Sequence, residues 1–256
     1  MSKHNKIFIL FAVFLTIFCL SKAWAAVGYT PSDSKTFVPE PNTLALFSSG
    51  LFTMLIGFFR RTYSLTKRTI DITGSVIALI LFSPILLLTA LLIKLTSKGP
   101  IFYTQTRVGK DGQNFEIYKF RTMKVDAEKA TGPVWAAKND NRLIPAGKFI
   151  RKAHLDEIPQ FINVIKGDMS IIGPRPERPI FVEKFKSEIS DYGKRLEVKP
   201  GITGLAQVWH HYDETIDDVR KKIKYDILYI KKMCFWTDMR ILARTVRVVL
   251  TGAGAR

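Results

Sequence analysis

The amino-terminal third of the chain is dominated by long apolar runs, and shorter mixed segments take over after residue 98. Residues 7–20 (IFILFAVFLTIFCL) form an apolar core behind Lys3, His4 and Lys6, and Ala23-Trp24-Ala25 follows with small-x-small spacing. Residues 1–26 therefore read as a secretory signal peptide, with an uncleaved anchor as the rival. Residues 27–42 are rich in Pro, Ser and Asp and read as an extended periplasmic linker. Residues 43–59 (TLALFSSGLFTMLIGFF) lie near the lower length limit for crossing a bilayer. Arg60-Arg61 mark a cytoplasmic end, which predicts a transmembrane helix over 43–61.

A further apolar run covers residues 72–93, between Lys67-Arg68 and Asp71 on one side and Lys94 and Lys98 on the other. With both flanks basic, the positive-inside rule assigns no simple crossing. Ser83-Pro84 stands at the middle of the run, where proline removes a backbone bond and kinks a helix. A re-entrant helix that leaves by the face it entered fits these features; an ordinary span with a tolerated proline is the alternative. Parity favours the first, because a second crossing would export everything that follows.

From Gly99 the pattern becomes that of a water-soluble domain. Residues 99–123 read as two strands around Gly109-Lys110-Asp111-Gly112, a small β-hairpin. Residues 124–138 read as a helix followed by a loop through Gly132-Pro133, and residues 199–204 as a turn cluster. Helical patterns cover 217–233 and 238–250. Val219, Ile223, Ile227 and Ile230 share one helical face, suited either to the membrane interface or to ordinary core packing. The fold class is α+β, mainly helical, with a catalytic or binding core over 99–256.

The 256 residues are 47% hydrophobic yet carry a formal charge of +17, from 39 Lys+Arg against 22 Asp+Glu. That combination points to anionic lipid, polyphosphate substrates or nucleic acid as partners. No nucleic-acid motif accompanies the charge, so no nucleic-acid partner is expected. Cys19 and Cys234 imply no disulfide framework.

The chemistry concentrates in residues 147–178. Asp156 and Glu157 are adjacent carboxylates, preceded by Lys148, Arg151 and Lys152 and followed by Lys166, Arg175 and Arg178. Asp156 has the residue type of an N-cap, Pro159 falls in the first turn and Gly167 closes a short apolar run. A carboxylate there, with nearby arginines, suits a nucleophile or metal ligand in phosphoryl chemistry. The plainer alternative is a helix cap with a solvated basic face.

Several separated blocks, taken together, resemble the bacterial sugar transferase family of small monotopic phosphoglycosyl transferases. They are Lys67-Arg68 and Asp71 with the Ser83-Pro84 run, GPIFYTQTRVG (99–109), YKFRTM (118–123), NDNR (139–142), RKAHLDEIPQFINVIKGDMSIIGPRPE (151–177), KPGITGLAQV (199–208) and YDILYIKKMCFWTDMRIL (225–242). The resemblance covers roughly 62–256. It implies a monotopic domain with a kinked re-entrant helix at Ser83-Pro84 and interfacial amphipathic helices. It also implies sugar-1-phosphate transfer from a UDP-sugar to polyprenyl (undecaprenyl) phosphate through a covalent Asp156 intermediate, at the start of exopolysaccharide or glycoconjugate synthesis. Asp156 and Glu157 would hold Mg²⁺; Arg151, Arg175, Lys119, Arg121 and Arg142 are the implied phosphate contacts. His154 stands where many relatives carry Ser or Thr. Membrane lipid is a further partner, with a homodimer and downstream glycosyltransferases as candidates. The expected location is the bacterial inner membrane, catalytic domain facing the cytoplasm.

A second resemblance competes. Val38-Pro39-Glu40-Pro41, the apolar segment and Arg60-Arg61 resemble the Pro-Glu-Pro sorting signal of exosortase substrates, although such signals normally end their proteins. The rival function is an exosortase-sorted, non-enzymatic envelope protein, in which Asp156 has no role.

Overall fold

The computed structural model describes residues 41–127, 141–209 and 215–251. The signal peptide, most of the linker, Gly132-Pro133 and His210-His211 lie outside the described residues. The chain divides into two compact units, Met1–Met54 and Leu55–Arg256. The second carries the remaining architecture.

Helix α1 (Pro41–Thr96) is 56 residues long and contains Pro84. The two apolar segments read separately in the sequence are thus one helix in backbone. No Gly or Pro occurs from Phe58 to Thr73, so nothing local interrupts the hydrogen-bond ladder. Proline at 84 cannot donate to the carbonyl four residues back, that of Ile80. The Ser83 hydroxyl donates to that same carbonyl at 2.8 Å. The Ser-Pro pair therefore removes one donor and supplies another, as apolar surroundings require. Residues Thr66–Thr96 are long and apolar enough to cross a membrane, and Ile80, Leu81, Leu87, Leu88, Leu91 and Leu95 are exposed.

Both flanks of this run meet the same domain. At its start Arg68 donates to the carbonyls of Val164 (2.6 Å) and Ile165 (3.0 Å), and Asp71 accepts from the Ile171 amide at 3.2 Å. Towards its end Ile93 is buried among Phe120, Ile144, Ala146 and Ile150.

Strands β1 (Phe102–Val108) and β2 (Asn114–Phe120) pair antiparallel, from Phe102 opposite Phe120 to Val108 opposite Asn114. The turn between them places Asp111 at φ 55° and Gly112 at φ 80°. Short helices follow: α2 (Gly147–Lys152) and α3 (Gln160–Lys166). Gly167, at φ 102°, closes α3 by donating to the carbonyls of Asn163 and Val164. Next come β3 (Ser170–Ile172), α4 (Pro179–Glu188), a 3₁₀ segment (Tyr192–Glu197), β4 (Gly201–Thr203) and α5 (Leu205–Trp209). Helices α6 (Ile216–Lys231) and α7 (Phe235–Thr251) end the described chain.

Two expectations change, and one open alternative is decided. The turn cluster at 199–204 contains β4, which pairs in parallel with β3. A Cβ on Gly201 would lie 2.1 Å from the Gly173 nitrogen, so glycine is what lets these backbones approach. Residues 125–127 form a turn rather than the start of a helix. The α6 face is core: Val219 and Ile223 pack with Val182, Phe185 and Tyr192, with Ile227 against them. The exposed apolar stripe belongs to α7 instead, where Phe235, Leu242, Val246 and Val249 share one helical face.

Candidate active site

Asp156 and Glu157 sit in a 3₁₀ turn, Leu155–Glu157, between α2 and α3. His154 precedes it at φ 55°, a left-handed conformation that separates the turn from α2. Asp156 is not the helix cap that the sequence suggested. Pro159 takes the N-cap position of α3, which has no side-chain cap bond. A seven-residue helix offers little dipole, so the charge at this site comes from side chains.

Packing of α3 on β2 brings those side chains together. Asn163 is fully buried; its Oδ1 accepts from the Tyr118 amide at 2.9 Å and its Nδ2 donates to the Glu116 carbonyl at 2.7 Å. That clamp fixes β2 against α3, which directly follows the Leu155–Glu157 turn. Lys119, the next residue, donates to Glu157 Oε1 at 2.9 Å. Arg175 donates to the same oxygen at 2.6 Å and reaches Oε2 at 3.4 Å. From α2, Arg151 donates through Nε to the Thr122 hydroxyl at 2.9 Å and contributes its charge to Asp156. Among the described residues no hydrogen bond engages the Asp156 carboxylate.

The two carboxyls are pushed apart in acidity. Burial raises Asp156; Lys119 opposes that shift and the charge of Glu157 adds to it. Burial also works against ionised Glu157, but Arg175 and Lys119 outweigh it and hold the group well below the ordinary range. Adjacent groups with opposed shifts divide their roles. Glu157 is an anion inside a cationic clamp, whereas Asp156 is the carboxyl that burial shifts towards its protonated form.

Arg175 lies on a loop whose four consecutive carbonyls are all bonded. Pro174 accepts from the Gly201 amide (2.9 Å), Arg175 from Arg195 (2.7 Å), Pro176 from Arg107 (3.1 Å) and Glu177 from the Val108 amide (2.9 Å). The Glu177 side chain pairs with Lys222 at 2.9 Å and Arg107 at 3.8 Å. Sequence reasoning did not single out Arg107, Glu177, Arg195, Lys222 or Asp226. Their charges are scattered over more than a hundred positions, and the only sequence signal was their presence in or beside the family-like blocks.

Of the sequence candidates, Arg121 stands elsewhere. Arg121 is 4% exposed and donates to the carbonyls of Lys98 (2.8 Å) and Ser97 (3.1 Å), just past the end of α1. It fastens the segment leaving α1. Gly99 beside it has φ 118°, and a Cβ there would meet the guanidinium at 2.1 Å. Arg142 offers its carbonyl to the Lys124 amide at 2.8 Å, and its charge is not among the principal ones acting on either carboxyl.

Among the described residues no group of three or more His, Cys, Asp or Glu could hold a metal. The donor chemistry still fits Mg²⁺, which binds through one or two carboxylates and completes its shell with substrate phosphates and water. Asp156 has an unengaged carboxylate, whereas Glu157 would have to share its oxygens with Lys119 and Arg175.

The family model for bacterial sugar transferases matches residues 62–252. The chain belongs to this family. It is 51% identical over 194 residues to a UDP-N-acetylgalactosamine-undecaprenyl-phosphate N-acetylgalactosaminephosphotransferase of Aeromonas hydrophila, covering 76% of this chain and 46% of the relative. It is 46% identical over 182 residues to a UDP-glucose:undecaprenyl-phosphate glucose-1-phosphate transferase of Klebsiella pneumoniae, covering 70% and 39%. A transferase of the same description from Caulobacter vibrioides is 40% identical over 194 residues, covering 75% and 72%. The match thus spans less than half of the first two relatives and nearly three quarters of the third.

Proposed function

We propose that this protein is a membrane-associated phosphoglycosyl transferase that moves a sugar-1-phosphate from a UDP-sugar to polyprenyl (undecaprenyl) phosphate. The observation that carries the reading is the unengaged Asp156 carboxylate beside Glu157, which is clamped by Lys119 and Arg175. Relatives whose names state this reaction for N-acetylgalactosamine and glucose supply the substrate classes. Family membership also weighs against the non-enzymatic, exosortase-sorted alternative.

In the first step an oxygen of ionised Asp156 attacks the β-phosphorus of the UDP-sugar. The bond from that phosphorus to the bridging oxygen breaks, UMP leaves with the electron pair, and a sugar-phosphoryl-Asp156 remains. In the second step a phosphate oxygen of the polyprenyl phosphate attacks the same phosphorus, releasing polyprenyl diphosphate-sugar and restoring the carboxylate. Arg151, Lys119 and Arg175 face the anionic groups and stabilise charge developing on the phosphoryl oxygens. Glu157 holds two of these cations in place. Asp156 and Glu157 would hold Mg²⁺, which would supply charge neutralisation of the diphosphate.

The acceptor phosphate lies at the lipid headgroups, and the Ser83-Pro84 run is proposed to enter and leave by the cytoplasmic face of the inner membrane. A straight helix of 31 residues is about 46 Å long and would place its ends on opposite sides of a hydrocarbon layer of about 30 Å. Contact of one domain with Arg68 and Asp71 at the start and with Ile93 near the end supports a return to the same side. The α7 stripe is proposed to lie along the interface.

The test is UMP release from a panel of UDP-sugars by purified protein with Mg²⁺ and polyprenyl phosphate, beside Asp156→Asn. Release with one donor and its loss in the variant by about 1000-fold or more are expected when a covalent nucleophile is removed. Equal release by both proteins would remove Asp156 from that role.

A further inference from the structure

The Pro174–Glu177 loop rests on a charged layer that the reaction does not touch, and one residue in that layer reaches the loop, a helix and an aromatic at once. Arg195 is 4% exposed. Its Nη2 donates to the Arg175 carbonyl at 2.7 Å and lies 2.9 Å from Asp226 Oδ2 on α6. Its Nη1 donates to the Tyr192 hydroxyl at 2.9 Å. Asp226 and Tyr192 are themselves 1% and 0% exposed. Burial of a charge on this scale is costly unless the pairing is close. The same arginine could hold the fold together at less cost as a packed apolar residue. What an apolar residue could not do is grip the backbone of the residue whose side chain clamps Glu157.

We propose that Arg195 is a positioning residue for the transfer reaction: anchored by Asp226 and Tyr192, it fixes the Arg175 backbone so that the Arg175 guanidinium stays on Glu157. The inference rests on the reading of Asp156 and Glu157 given above. Its geometry is a direct relay, from α6 through Arg195 to the Arg175 carbonyl and from the Arg175 side chain to Glu157 Oε1 at 2.6 Å. A lysine at 195 has one nitrogen and a different reach, so it cannot reproduce the contacts of both guanidinium arms. Tyr192→Phe removes only the hydroxyl that orients Nη1 and keeps the packing against Phe185.

The experiment measures kcat and KM for UMP release. It compares full-length wild type, Arg195→Lys, Tyr192→Phe, Arg175→Lys and the Arg175→Lys/Arg195→Lys double variant, with melting temperatures recorded alongside. Displacement of a reacting group by about 1 Å costs on the order of 100-fold, and a loss of that order in kcat/KM is expected for Arg195→Lys. The loss is expected in kcat with KM little changed, because a displaced Arg175 guanidinium weakens contacts made to charge that develops only in the transition state. The double variant is expected to be no slower than Arg175→Lys alone, because both changes break one relay. Tyr192→Phe gives a smaller loss of kcat and keeps the test open if Arg195→Lys does not fold. Multiplicative losses, or a loss confined to KM with kcat unchanged, would overturn the proposal and leave Arg195 as a structural residue only. A wild type that releases no UMP would fail the proposed reaction itself, which is a separate outcome.

Discussion

At the scale of single residues, acidity separates side chains that composition treats alike. Asp156 and Glu157 are neighbours, yet burial raises one while cations hold the other down. Glu177 extends the pattern: burial opposes its ionisation, but Lys222, Arg195 and Arg107 bring it to about 2 from 4.5. A native value below the unfolded one means that the group stabilises the fold fully above its ordinary range. The contribution fades as pH falls through about 4.5 towards 2. Glu177→Gln should therefore cost about 3–5 kcal/mol near neutrality, since Lys222 and Arg107 lose a carboxylate that both lie against. Urea denaturation in detergent at pH 7 and pH 3 checks this: the gap between variant and wild type should narrow in acid, and a gap independent of pH would refute it. Legibility at this scale was uneven. Lys119 and Arg121 alternate with Phe120 on neighbouring positions, and sequence alone could not tell that one reaches Glu157 while the other binds carbonyls beyond α1. Side-chain destination depends on which element lies across the way, and that is a tertiary fact.

At the scale of elements, the sequence read best where the signal is local. Strands β1 and β2 around Gly109–Gly112, the stop at Gly167 and the two last helices all carry alternation, helical spacing or glycine in a left-handed turn. Strand β4 did not, because three residues between Pro200 and Gly204 show no alternation and pair with a strand thirty residues away. The α6 face was legible as apolar but not as core, since periodicity does not say what covers it. Helix α1 makes the strongest claim at this scale. With Cys19 and Cys234 replaced by Ser, single cysteines at Thr66→Cys and Lys98→Cys bracket its apolar run. Both should react with a membrane-impermeant maleimide in inside-out vesicles and neither in intact spheroplasts. Labelling from opposite sides would establish a crossing and sink the re-entrant reading.

At the scale of the whole molecule, apolar surface and positive charge serve one arrangement. The exposed leucines of α1 and the stripe on α7 suit lipid, while the basic residues around Asp156 suit diphosphate and acceptor phosphate. Among the described residues, buried apolar side chains gather in four small clusters rather than one large core. Two polar clamps complement them, neutral Asn163 against β2 and ionic Arg195 against the Pro174–Glu177 loop, and each fixes backbone that carries a residue lying on Glu157. The central claim is that Asp156 carries the sugar-phosphate between donor and acceptor. Intact-protein mass spectrometry after incubation with the active UDP-sugar and Mg²⁺, without polyprenyl phosphate, tests it directly. The account predicts a mass gain of one sugar-phosphate per chain, matched by one equivalent of UMP, discharged on adding acceptor and absent in Asp156→Asn. UMP release that requires acceptor, with no adduct formed under conditions of full activity, would contradict it.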